Sequence, residues 1–189
     1  MSKKLLLLIL AMLCFFVLPA AAQNSRHHIG LTLGYAKLVS DDVKFLGRDF
    51  SNSGHSALTY RYSFSPNIDL AVEGRGTFSS QDASGSDLNL INSYFGPGVR
   101  VIAPQQNLKL FLQGNLYFVN ESKETVSGNT TTTTTEDGVG FGLNGGVDIR
   151  VSRLLSIPIE ANFIYAKPSD NISGFGISSG LTFNFGMLP

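Results

Sequence analysis

Two glycine-rich patterns in the sequence match motifs that support catalysis or cofactor binding in other proteins. Residues 140–145 read Gly-Phe-Gly-Leu-Asn-Gly, the spacing of a dinucleotide-binding turn, and residues 176–180 read Gly-Ile-Ser-Ser-Gly, the spacing of a nucleophile elbow. Both motifs require a strand before the glycines and a helix after them. Here each pattern lies inside a stretch where apolar and polar residues alternate, which is typical of a strand. We therefore predict no catalytic residue and no cofactor at either position.

The three histidines are the remaining candidates for catalysis or metal binding. His27 and His28 are adjacent, and adjacent side chains in a strand point to opposite faces, which disfavours a shared metal ion. His55 lies in a polar stretch, and we interpret it as an exposed loop residue. The single cysteine, Cys14, supplies neither a disulfide framework nor a cysteine-rich zinc site. The sequence predicts no metal centre.

Charged side chains are scarce throughout the chain. They make up 15% of the 189 residues, against about 25% in an ordinary soluble domain, and 14 basic residues balance 14 acidic ones. A nucleic-acid-binding protein would carry a basic face, so we expect no nucleic-acid partner. The length is that of one domain.

The first 22 residues have the pattern of a secretory signal peptide. Lys3 and Lys4 precede an apolar run from Leu5 to Leu18, and three alanines ending at Ala22 follow Pro19. The run is shorter than the roughly 20 residues that a membrane-spanning helix needs. We therefore predict a cleaved signal peptide at 1–22 and an exported domain at 23–189.

The exported part alternates between bulky apolar residues and small or polar ones. A period of two predicts strands. The pattern is clearest in the last segment, whose odd positions are Phe175, Ile177, Ser179, Leu181, Phe183 and Phe185. Seven earlier segments follow the same rule, with exceptions at Phe111, Tyr117 and Ile164.

The links between these eight segments are alternately long and short. Short links fall at about 65–67, 103–107 and 152–155, and long polar links fall at about 38–56, 79–91, 120–137 and 166–173. This order predicts an eight-stranded antiparallel up-and-down β-barrel with its tight turns at one end. Residues 120–137, including the run of threonines at 130–135, are of low complexity, and we expect this third long link to be mobile.

The apolar face of the eight segments is larger than the core of a soluble barrel can hold, which favours a barrel surrounded by lipid. The residues at the polar positions of the alternation would then face the barrel interior, an assignment that we call parity. It places eight charges in the interior, four of each sign. We interpret them as a structural network that closes the lumen, and they are Arg61, Asp69, Glu73, Arg75, Arg100, Asp148, Arg150 and Glu160.

These features resemble the small outer-membrane β-barrel family that includes the OmpA transmembrane domain and OmpX-like proteins. The resemblance rests on the signal peptide, the eight segments, the long and short links, the Tyr94–Arg100 segment and the aromatic last strand. It implies an outer-membrane location, contact with outer-membrane lipids and lipopolysaccharide, extracellular long loops and periplasmic turns. It also implies recognition by the barrel-assembly machinery through Phe183 and Phe185, although this chain continues to Pro189.

The resemblance specifies the architecture more closely than the activity. We favour a non-enzymatic structural, adhesive or surface-interaction role through four extracellular loops, with a ligand that the sequence does not identify. The first alternative is a small porin for ions or solutes. A second is a lipid A-modifying enzyme, which would combine His55 and Ser56 with Asp41 or Asp42. A third is a soluble exported barrel that binds an apolar ligand.

Overall fold

The computed structural model describes residues 27–38, 44–45, 48–49, 52–83, 86–104, 108–168 and 171–186. The predicted signal peptide, Asp41 and Asp42 lie outside these residues. The strands are β1 (His27–Leu38), β2 (Lys44–Phe45), β3 (Arg48–Asp49), β4 (Asn52–Ser65), β5 (Ile68–Ala83), β6 (Ser86–Pro104), β7 (Leu108–Ser127), β8 (Thr130–Arg150), β9 (Leu155–Lys167) and β10 (Ile172–Phe185). Among the described residues, no helix is long and apolar enough to cross a membrane.

Eight of these strands form one closed antiparallel barrel. Their order is β1-β10-β9-β8-β7-β6-β5-β4, so that each strand pairs with its neighbours along the chain and the first pairs with the last. The closing pair aligns His27 with Phe185 and Leu38 with Gly174. β2 and β3 form a separate two-stranded ladder in the link between β1 and β4. The predicted eight-stranded antiparallel barrel is confirmed.

The period of two in the sequence separates the outside of the barrel from its interior. Large apolar side chains face outward and are exposed, as with Leu116, which is 69% exposed. Polar side chains of the opposite parity face inward and are buried, as with Gln113 and Asn144, which are both 0% exposed. This inverts the arrangement of a soluble protein, because the exposed surface is the apolar one.

Two of the predicted long loops are strands in the structure. β5 and β6 extend through most of 79–91, and β7 and β8 extend through all of 120–137 except Gly128 and Asn129. The threonine run pairs residue by residue with 122–127 of β7, so the prediction of a loop at 120–137 was wrong. Threonine favours strands, and a two-residue turn with Gly128 at a φ of 57° connects them.

The barrel wall is consequently taller on one side than on the other. β6, β7 and β8 have 19, 20 and 21 residues, whereas β1, β9 and β10 have 12, 13 and 14. Four segments pair side by side above the shorter wall. We call them the raised sheet, and they are residues 79–83, 86–90, 123–127 and 130–134.

Candidate functional site

The barrel interior holds the largest group of interacting polar side chains. Asp148 Oδ2 accepts from Arg61 Nη1 at 3.2 Å and from Arg100 Nη1 at 3.3 Å. Arg61 Nη1 also lies 3.8 Å from Asp69 Oδ2. Two guanidinium groups on different strands therefore share one carboxylate.

A second cluster surrounds Arg75. Its Nε donates to Glu73 Oε1 at 2.9 Å, and its Nη2 lies 3.7 Å from Glu160 Oε1. Arg100 Nη2 lies 3.9 Å from Glu160 Oε2, which joins this cluster to the first. The structure thus brings together seven of the eight charges that parity assigns to the interior, three basic and four acidic, and all seven are buried.

Arg150 differs from the prediction. It lies on the same side of β8 as Asp148 but is exposed, because β8 ends at this residue and the irregular segment 151–154 follows. Parity gives the side of the strand on which a residue lies. It does not show whether the barrel wall still encloses that residue, so the assignment of Arg150 to the enclosed network was wrong.

Glu73 is the most heavily hydrogen-bonded carboxylate of the interior. Its two oxygens accept from five side chains at distances of 2.6–3.3 Å. The donors are Tyr117, Arg75, Gln113, Asn144 and Thr59. A buried charge persists when such bonds replace its hydration, so neutral residues that parity alone does not single out are part of this site.

The three residues that break the sequence alternation also face the interior. The ring centroid of Phe111 lies 3.7 Å from the guanidinium carbon of Arg100, a cation–π contact. The hydroxyl of Tyr117 donates to Glu73 Oε1 at 2.6 Å. Ile164 is buried in a cluster with Tyr94, Tyr117, Val119 and Ala166. A bulky residue on the polar face of a strand was the signal in the sequence that could have identified them.

The interior is filled in layers along the barrel axis. Near the end with the tight turns, His28 hydrogen-bonds Asn184 Oδ1 at 2.6 Å and Ser63 Oγ at 3.0 Å. The charged clusters follow, and the cluster around Tyr94 comes next. Near the opposite rim, a buried aliphatic cluster consists of Leu38, Leu88, Leu90 and Ile172.

His55 occupies a different place from the one expected. It lies in β4, is buried, and its Nδ1 is 3.5 Å from Arg75 Nη1. The interpretation as an exposed loop residue was wrong, because β4 begins at Asn52 and includes it. Ser56 is exposed on the opposite face, so the two residues do not meet in a common site. Among the described side chains, no three His, Cys, Asp or Glu residues are placed to hold a metal ion.

Phe183 and Phe185 are outward-facing residues of β10. They are 47% and 50% exposed, and they pair with Ile29 and His27 of β1. Their recognition by an assembly machinery stays a prediction.

Comparisons with known proteins agree with this geometry. A family model described as an outer membrane protein beta-barrel domain matches residues 7–185. No curated protein sequence matches the chain significantly.

Three solved structures illustrate the likeness in fold. Neisserial surface protein A is 17% identical, with a TM-score of 0.65. Ail, the attachment invasion locus protein of Yersinia pestis, in complex with the heparin analogue sucrose octasulfate, is 16% identical, with a TM-score of 0.63. A major outer membrane protein from Thermus thermophilus is 10% identical, with a TM-score of 0.62. Each match covers 86% of this chain and 100% of the other chain.

Proposed function

The chain belongs to the outer membrane protein β-barrel family, and on that premise we propose that it is a surface-interaction protein whose lumen does not conduct. In this proposal the raised sheet is extracellular and the tight turns are periplasmic. The filled barrel interior is the observation that carries it.

The charge network supports a closed lumen. An ion that passed through the barrel would have to separate Arg61 from Asp148, or Arg75 from Glu73, and leave buried charges without partners. The interior of an eight-stranded barrel is just wide enough for side chains to fill it. The aromatic and aliphatic clusters above the charges add a section of the path that is filled by hydrophobic side chains.

The outward-facing residues of β7 support the proposed placement of the barrel across the membrane. From Leu108 to Phe118 this face carries no polar side chain, and Asn120, Ser122 and Glu124 follow on the same face. The ten steps from Leu108 to Phe118, in a strand tilted by about 40°, span about 26 Å, close to the apolar band of about 25 Å in outer-membrane barrels. Asn120 Nδ2 donates to Asp137 Oδ1 at 2.8 Å, directly above the end of the apolar face.

The raised sheet is the surface that would meet a partner. The raised sheet contains Asp82, Asp87 and Glu124 against one lysine, and Glu136 and Asp137 follow it on β8. The structural neighbour Ail is named for attachment and was solved with a heparin analogue, a polyanion. An acidic sheet repels polyanions, so we expect this chain to bind neutral or basic surfaces instead.

A truncated variant tests the surface role. Replacing residues 121–136 with Asn-Gly joins Asn120 to Asp137, which already face each other in the β7–β8 pair. Wild-type protein and variant, each in nanodiscs of zwitterionic lipid, are passed over immobilised polylysine and immobilised heparin. We expect the wild type to bind polylysine but not heparin, and the folded variant to lose polylysine binding. Equal binding by the two proteins, or preferential binding to heparin, would contradict the proposal.

A further inference from the structure

A small cavity lies in the barrel interior, between the charged clusters and the aliphatic cluster near the rim. Its volume is about 10 Å³, and its lining includes His55 on β4, Arg75 on β5 and Asn162 on β9. Each of these three side chains is buried and carries one atom without a hydrogen-bond partner among the described residues: His55 Nε2, Arg75 Nη2 and Asn162 Oδ1. A buried polar group without a partner is costly, so the cavity is suited to a ligand that satisfies all three atoms.

Small residues on the inner faces of β1 and β10 make room for this cavity. Ala36 of β1 pairs with Gly176 of β10, and both line it. One step further along β1, a Cβ atom at Gly34 would lie 2.6 Å from Nε2 of His55, so the imidazole ring lies over this glycine. The cavity therefore lies against the strand pair that closes the barrel, and His55 and Asn162 come from the two strands that flank this pair.

The hydrogen bonds around the cavity show that two of the three atoms are donors. Arginine has no acceptor, and Arg75 Nη1 lies 3.5 Å from His55 Nδ1, so Nδ1 accepts this bond. The neutral imidazole then carries its proton on Nε2, which is the first donor. Arg75 Nη2 is the second donor, because its distance of 3.7 Å from Glu160 Oε1 is too long for a hydrogen bond.

The third atom is an acceptor. Ser178 Oγ donates its single proton to Glu160 Oε1 at 3.0 Å. It must therefore accept from Asn162 Nδ2, which lies 3.0 Å away, and this bond determines the orientation of the amide. The oxygen of Asn162 is left to accept a further hydrogen bond. The three atoms thus require a ligand that accepts two hydrogen bonds and donates one.

We propose that one internal water molecule binds in this cavity and links β4, β5 and β9 across the closing strand pair. It accepts from His55 Nε2 and Arg75 Nη2 and donates to Asn162 Oδ1. Three hydrogen bonds are typical of a buried water, and a cavity of about 10–15 Å³ is about the smallest that holds one. An anion would face the amide oxygen, and a cation would face the two donors, so a neutral ligand fits better than either. This site depends neither on the orientation of the barrel nor on a partner of the raised sheet.

NMR spectroscopy of the isotope-labelled full chain, folded in detergent micelles, tests the site. The imidazole signals of His55 are assigned by their through-space contacts with Gly34. We expect the proton of His55 on Nε2, with a cross-peak to water whose sign indicates contact and not proton exchange. Asn162→Leu removes the acceptor and fills the cavity, so this cross-peak should disappear. Asn184→Leu is the matched control and should retain it, because Asn184 Oδ1 is bound to His28 near the end with the tight turns.

The wild-type protein alone decides whether water is bound, even where Asn162→Leu does not fold. A proton on Nδ1 of His55, or an Nε2 proton without a contact to water, would overturn the proposal. A chemical shift of Nε2 that follows the chloride concentration would show an anion in the cavity instead. A cross-peak that persists in Asn162→Leu, or that is lost equally in Asn184→Leu, would overturn the assignment of Asn162 as the acceptor.

Discussion

Arg61 on β4 and Asp148 on β8 lie on opposite sides of the barrel, four strands apart in a ring of eight, yet Nη1 of the arginine is 3.2 Å from Oδ2 of the aspartate. Their side chains therefore bridge the full width of the interior. Arg100 on β6 reaches the same carboxylate at 3.3 Å. These ion pairs therefore link opposite strands across the barrel interior, in addition to the hydrogen bonds between neighbouring strands.

The first prediction concerns the stability that this network provides. Arg100→Ala leaves Asp148 and Glu160 buried with one partner fewer, and breaking a buried ion pair costs about 3–5 kcal/mol. Arg150→Ala is the matched control, because Arg150 is exposed at the end of β8. This substitution should change the free energy of unfolding by less than about 0.5 kcal/mol. Urea unfolding of the reconstituted barrel measures both free energies. Similar free energies of unfolding for the two variants would show that the charge network contributes little to the stability of the barrel.

The second prediction separates a buried tyrosine hydroxyl from an exposed one. Tyr117→Phe removes the hydrogen bond to Glu73, and a hydrogen bond to a charged group contributes about 1.5–3 kcal/mol. Tyr165→Phe removes an exposed bond to Asn171 and should change the free energy of unfolding by less than about 0.5 kcal/mol. The same unfolding assay compares the two. The account of Glu73 is wrong if Tyr165→Phe proves the more damaging.

The third prediction concerns a glycine at a close approach between strands. A Cβ atom at Gly96 would lie 1.8 Å from the carbonyl oxygen of Leu116, so β6 and β7 would have to separate to accommodate it. Gly74 on β5 is the control, since its nearest neighbour to a Cβ is an atom of Phe95 at 3.8 Å. We expect Gly96→Ala to reduce the folded fraction, seen as the fast-migrating band on an unboiled gel, and Gly74→Ala to fold normally. Normal folding of Gly96→Ala would contradict this packing.

The period of two in the sequence predicts the number of strands, their order and their two faces, because each follows from local alternation. Local alternation does not predict how long each strand is. The threonines at 130–135 favour a strand by residue type, but their partner is β7, and a polar run without apolar alternation gives no local sign of that pairing.

The barrel interior was likewise only partly predictable from the sequence. Parity correctly placed Glu73 and Arg75 on the inner face, but their contacts depend on how far long side chains reach across the barrel. The exceptions to the alternation, Phe111 and Tyr117, contribute to the network directly. Arg150 and His55 were misplaced because their environments depend on where β8 ends and where β4 begins.

The central claim is that side chains close the lumen, and ion conductance in a planar lipid bilayer tests it most directly. The full chain is first shown to be folded by its altered mobility on an unboiled gel, and its insertion is verified by protease protection in liposomes. We predict that the inserted wild-type protein produces no channel steps above the baseline in molar potassium chloride. Discrete, reproducible steps from folded wild-type protein would contradict the account, because ions would then cross the section where Arg61 meets Asp148.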